Sequence, residues 1–207
     1  AGTAAAAEEV LPEEEVPKPR FLSEEEPEVV GAARGTIIHK ILELLPFGEV
    51  CTKKELFEAL ARIEKQYPDC ARISMKAVYR GLEQLLFSEI GEKLRQMDQA
   101  GALRKELPFT VGLPSSLFHK EDRDSAQEEE MIVVQGVIDA CGETPEGLWL
   151  FDYKTDYISE GEEGLLLDRY KTQMLYYKTA LEQILRKKVI HSYIFSFSLE
   201  KYLEISW

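Results

Sequence analysis

Between residues 131 and 157 the chain reads MIVVQGVIDAC, then GETPEG, then LWLFDYKTDY. Two apolar runs joined by a turn bounded by glycines predict a β-hairpin. Side chains alternate across a strand, so Asp152 and Lys154 project from one face. Trp149, Leu150 and Phe151 would otherwise make this a fully buried strand. An acid and an amine in such a strand are unfavourable unless they are paired or used. Asp139, near the end of the first run, could come opposite them. Two carboxylates converging at a sheet end form a hard-oxygen site suited to Mg²⁺. The plain alternative is a structural ion pair between Asp152 and Lys154, with Asp139 a turn residue.

The flanking sequence constrains what surrounds this hairpin. Ile37, Ile38, Ile41, Leu42 and Leu45 recur at helical spacing, and Pro46 with Gly48 ends the run. Thr52 with Glu55 three residues on predicts a capping box, and Leu56, Leu60 and Ile63 continue that helix. A long third helix is expected over about residues 75–99, with Val78, Leu82, Leu85, Leu86, Ile90, Leu94 and Met97 buried and Gly101 as its stop. LRKELPFTVGL then reads as a strand. After the hairpin, LLLDRYKTQMLYYKTALEQILRKK is an amphipathic helix and VIHSYIFSFSL a final strand. The expected fold is α/β (α+β): a mixed β-sheet flanked by helices, with a helical part at about 35–100 and a core at about 101–207.

Charge bears on partners. The net charge is −13, but residues 1–30 carry −7 and residues 121–130 carry −5. The rest is close to neutral, so a nucleic-acid substrate is compatible with the total, while a free-standing DNA clamp is not expected. Residues 1–30, rich in Ala, Glu and Pro, read as an acidic linker ahead of a domain at 31–207. No apolar run is long enough for a membrane span, and no signal-peptide layout is present. Cys51, Cys70 and Cys141 lack CxxC spacing, which argues against a disulfide framework or a four-thiolate cluster. A reducing, cytoplasmic compartment is the expectation, with all three buried or half-buried.

The segment GVIDACGETPEGLWLFDYKTD followed by YKTQMLYYKTALEQIL resembles the signature of the RecB-type nucleases of the PD-(D/E)XK superfamily. That pattern places an Asp at the end of a G-x-I/V-D strand, D-Y-K-T on the next strand, and Gln-x-x-x-Tyr on a following helix. Here these are Asp139, then Asp152, Tyr153, Lys154 and Thr155, then Gln173 and Tyr177. The resemblance implies a restriction-endonuclease-like core with a helical insertion, and Asp139, Asp152, Lys154, Gln173 and Tyr177 as catalytic residues. RGTIIHKIL matches a helix reading R/K-G-x-x-x-H, which makes His39 a metal ligand; by position alone it is a core histidine. Metal would be held by His39, Asp139, Asp152 and the Tyr153 carbonyl. Arg169, Gln173 and Tyr177 form one helix stripe toward substrate, and Glu106, in an E-x-P-F strand like the family's, is expected either near the metal or as a substrate-binding residue. Tyr177 taken alone would be core packing.

The implied chemistry is phosphodiester hydrolysis assisted by Mg²⁺, with Mn²⁺ able to substitute and no iron–sulfur cluster. Within the superfamily the chain is most similar to nuclease domains of the AddA-type helicase–nuclease family, which work with an AddB-type partner. No G-x-x-x-x-G-K-[ST] is present, so a motor delivering single-stranded DNA would lie N-terminal to this segment. Two other readings stay open: an inactive nuclease-like scaffold in a repair complex, and a nuclease without a motor.

Overall fold

A computed structural model describes residues 31–115 and 130–207. The expected linker at 1–30 and nearly all of the acidic stretch at 121–130 lie outside the described residues. Four helices come first: α1 (Ala32–Leu44), α2 (Lys53–Gln66), α3 (Met75–Phe87) and α4 (Glu89–Gln99). Strands β1 (Leu103–Pro114), β2 (Met131–Glu143) and β3 (Leu148–Lys154) follow, then α5 (Glu163–Leu185), β4 (Val189–Ser196) and β5 (Lys201–Glu204).

The five strands form one sheet in chain order. Only the β3–β4 pair is parallel, because α5 carries the chain back across the sheet between them. The predicted hairpin is β2–β3, in antiparallel register from Glu143↔Leu148 to Ala140↔Phe151. Along β3 the alternation sorts side chains to two layers. Phe151 and Tyr153 pack with Tyr193, Phe195, Phe197 and the α1–α4 helices. Leu148 and Leu150 pack with Ile194 and the α5 residues Leu166, Met174 and Leu181. The sheet is therefore buried on both faces, as an α/β sandwich requires.

The helix boundaries follow local chemistry. The Thr52 hydroxyl accepts from the Glu55 amide and the Glu55 carboxylate accepts from the Thr52 amide, so the predicted capping box is present. Gly101, at φ 66°, ends the helical part. The single helix expected over 75–99 is two. Ser88 turns extended and its hydroxyl caps α4 by accepting from Gly91 N–H, with Glu89 and Glu92 in the first turn. Arg95 satisfies the Leu86 carbonyl left by that break. The last strand also differs from expectation. It stops at Ser196, turns through residues 197–200 with Glu200 at φ 52°, and returns as β5, which pairs antiparallel with β4. Cys51 is exposed rather than buried, because it precedes the Thr52 cap; Cys70 and Cys141 are buried free thiols.

Lys105 joins the two halves. Its amine, pushed below the usual lysine range by burial, donates to the carbonyls of Leu42 (3.0 Å) and Leu45 (2.7 Å) and lies over the Phe47 ring. A strand residue thus closes the C-terminal end of α1, where backbone acceptors have no helical partner.

Candidate active site

Five elements meet at the end of β3 nearest α1. Asp139 and Asp152 flank the last registered pair of the β2–β3 hairpin. Asp139 accepts from the Tyr153 amide through Oδ2 at 2.7 Å, which fixes its carboxylate across the strand gap. Its other oxygen lies 3.3 Å from His39 Nδ1 on α1. Glu106 on β1 reaches the same imidazole at 4.0 Å. Glu106 adopts φ 49°, a left-handed conformation strained for a side-chain-bearing residue, at the position facing Asp139 in the β1–β2 register.

Asp152 and Lys154 do share a face, the one toward α5. Lys154 Nζ stands 2.8 Å from Asp152 Oδ2 and 3.1 Å from Gln173 Oε1. Gln173 Nε2 in turn donates to the Tyr177 hydroxyl at 2.7 Å, and Tyr177 packs edge-on against Phe109. The expected strand pair and the expected i,i+4 helix pair are therefore one connected network. Arg169 is exposed and interacts with the Tyr170 hydroxyl. His191 pairs with Glu204 at 2.9 Å beside Trp149, remote in the sheet register from this cluster.

The electrostatics are those of crowded carboxylates. Burial, then repulsion from Asp139, pushes Asp152 up to about 6 against the attraction of Lys154 and His39. Glu106 is raised by burial and by Asp139 as well. Burial pulls His39 down, but the hydrogen bond and charge of Asp139, with Glu106 and Asp152 behind it, leave it raised. Such a group of acids calls for positive charge. One ligand atom each from His39, Glu106 and Asp139 lie within 4.8 Å of one another, a spacing that could hold a metal ion. Asp152 Oδ2 is buried and faces the Lys154 ammonium at 2.8 Å. Oxygen-rich donors with one imidazole fit a hard divalent cation. A cleft of about 570 Å³, lined by Thr36, Lys40 and Tyr67 among others, opens onto His39 and Glu106.

Two sets of contacts escaped the sequence reading, although Arg34 and Gly35 stand in the R/K-G-x-x-x-H motif. Arg34 donates to the Thr155 carbonyl at 3.3 Å, and Gly35 sits so close to Thr155 that a Cβ would fall 2.9 Å from its hydroxyl. The α1 helix is thereby seated on the segment that leaves β3, which brings His39 to Asp139. Tyr170 places its ring 4.1 Å from Lys154 Nζ and donates its hydroxyl to Asp156. Tyr170 lies three residues before Gln173, so helical spacing could have found it.

A mixed sheet whose central hairpin presents two acids and a lysine, with helices on both faces, defines the PD-(D/E)XK class of nuclease. The chain belongs to the PD-(D/E)XK nuclease superfamily, which it matches over residues 12–202. It is 35% identical over 191 residues to the A-subunit of an ATP-dependent helicase/nuclease from Clostridium perfringens (strain SM101 / Type A), covering 91% of this chain and 15% of that protein. It is 32% identical over 199 residues to the corresponding ATP-dependent helicase/nuclease protein of Clostridium botulinum (strain 657 / Type Ba4), covering 96% and 15%. The chain thus spans about 15% of the length of these curated relatives. Nucleases of this superfamily use divalent metals, and the fold is restriction-endonuclease-like. No helix among the described residues is long and apolar enough to cross a membrane.

Proposed function

We propose that the chain is the Mg²⁺-dependent DNA exonuclease domain of a bacterial helicase–nuclease of the AddA type, acting in double-strand break repair and recombination with an AddB-type partner. The observation that carries this reading is the convergence of His39, Asp139 and Asp152 with Lys154 at one end of the hairpin. In this reading the donors are His39, Asp139, Asp152 and the Tyr153 carbonyl, with Glu106 close enough to join them. When bound, the cation supplies Lewis-acid polarisation of the phosphoryl group and an acidified water.

The residues do the rest. Lys154, only 13% exposed, holds its ammonium at the edge of the acidic cluster, where it stabilises negative charge on the phosphoryl oxygens and orients the attacking water. Gln173 restrains that ammonium through Oε1 while its amide and the Tyr177 hydroxyl face the sugar–phosphate backbone. Arg169, exposed one turn earlier, contacts the backbone beyond. The near-neutral charge of the chain outside its two acidic stretches suits a site to which a motor delivers a single strand.

The test is cleavage of end-labelled single-stranded DNA by this chain with Mg²⁺, with EDTA, and by Lys154→Ala. Cleavage should disappear in both controls while the variant keeps its melting transition. Lys154→Ala cleaving at the wild-type rate would refute the site. A folded wild-type chain that binds Mg²⁺ without cleaving would leave two readings, a scaffold or a nuclease that depends on its motor and partner.

A further inference from the structure

Three neighbours surround the Lys154 ammonium among the described residues, and the hydrolytic reading uses two of them. Asp152 and Gln173 hold it from the strand and from α5. The third is the Tyr170 ring, 4.1 Å from Nζ, a distance at which an ammonium is attracted to the ring face. The side chain makes further contacts at its far end. Its hydroxyl donates to Asp156, two residues beyond Lys154, and also meets Arg169. The chain thus leaves β3, passes under Tyr170 and is tied to it at Asp156, so one aromatic side chain touches the lysine and anchors the segment that carries it.

We propose that Tyr170 is a positioning residue for Lys154: its ring face keeps the ammonium aimed at the reacting phosphoryl group. This rests on the reading of Lys154 given above. The pair with Asp152 alone would draw the amine down toward the strand and leave it competing with a bound cation for the same carboxylate. The ring and Gln173 supply attraction from the α5 side, so the amine keeps its place when Asp152 is engaged elsewhere. The ring requires no hydrogen-bond acceptor of its own, and unlike a third carboxylate it adds no negative charge to an already crowded cluster.

The experiment separates the ring from the hydroxyl. Tyr170→Leu removes the aromatic face, and Tyr170→Phe keeps it while losing Asp156. With saturating Mg²⁺ and single-stranded DNA, Tyr170→Leu should lower kcat about tenfold with KM unchanged, and Tyr170→Phe should restore it to within about twofold of wild type. Mn²⁺ titration should give wild-type affinity in Tyr170→Phe and weaker affinity in Tyr170→Leu, where the amine competes with the cation for Asp152. A readout independent of turnover is the proton NMR shift of the Lys154 ε-methylene. Ring current should move it upfield in the wild type and in Tyr170→Phe, and Tyr170→Leu should return it to the free-lysine value. Wild-type kcat in Tyr170→Leu, a defect in Tyr170→Phe equal to that in Tyr170→Leu, or an unshifted Lys154 methylene in the wild type would each overturn the proposal. Loss of DNA cleavage by the wild type itself would instead strike the nuclease reading, and the NMR comparison would still decide the geometry.

Discussion

Asp139 is the residue on which the site's electrostatics turn. Beyond burial, the larger cause for both carboxyls, it raises Asp152 and Glu106 by repulsion, and against burial it raises His39 by hydrogen bond and attraction. All three shifts act on stability with one sign. Asp152 titrates near 6 in the fold against an ordinary 3.8, so between these values the native state holds a proton that the unfolded chain has released. Stability therefore falls as pH rises through that window, and Glu106 adds to the fall. His39, raised above 6.5, contributes stability that is complete below that value and is lost as pH climbs through its folded pKa. Asp139→Asn keeps an acceptor for the Tyr153 amide while removing the charge. Melting curves of the metal-free protein from pH 4 to 8 should show a shallower decline in Asp139→Asn than in the wild type. Equal slopes would mean that Asp139 does not govern these shifts.

At the scale of elements, the helical part depends on contacts outside its own sequence. The end of α1 is closed by Lys105, whose amine meets two backbone carbonyls across about sixty residues of chain. Lys105→Met would fill the space and leave both acceptors without that donor. Chemical denaturation should show a loss of about 1–3 kcal/mol, and a stability equal to wild type would show that water replaces the amine at no cost. The break between α3 and α4 has the opposite character. Ser88 followed by acids in the next turn is a local cap signal, masked in the sequence because the apolar stripe runs on through Leu94 and Met97.

For the whole molecule, α1–α4 and the sheet share one core. Phe151, Tyr153, Tyr193, Phe195 and Phe197 are covered by those helices. A fragment of residues 101–207 keeps the hairpin, α5 and every catalytic candidate except His39, yet exposes that aromatic face. It should bind a hydrophobic dye and lack near-ultraviolet circular dichroism, which would mark a collapsed state without fixed packing. A cooperative melting transition from that fragment would show that the helical part is an accessory rather than half of the fold.

The hairpin, the capping box, α5 and the pairing of Asp152 with Lys154 were all legible, because each is written by residues close in sequence and by a period of 2 or 3.6. The Gln173–Tyr177 pair was legible only through the resemblance to RecB-type nucleases, since Tyr177 by position alone reads as core packing. The short β5 was not, since four residues become a strand only by pairing with β4. Neither were the Arg34 contact with Thr155, the Lys105 cap on α1 nor the Tyr170 ring over Lys154. These join segments whose distance in space is set by the sheet order and by helix packing. Local pattern together with the family resemblance marked the nuclease class. Tertiary structure decided which groups face each other, because burial and repulsion act through distances that sequence spacing does not encode.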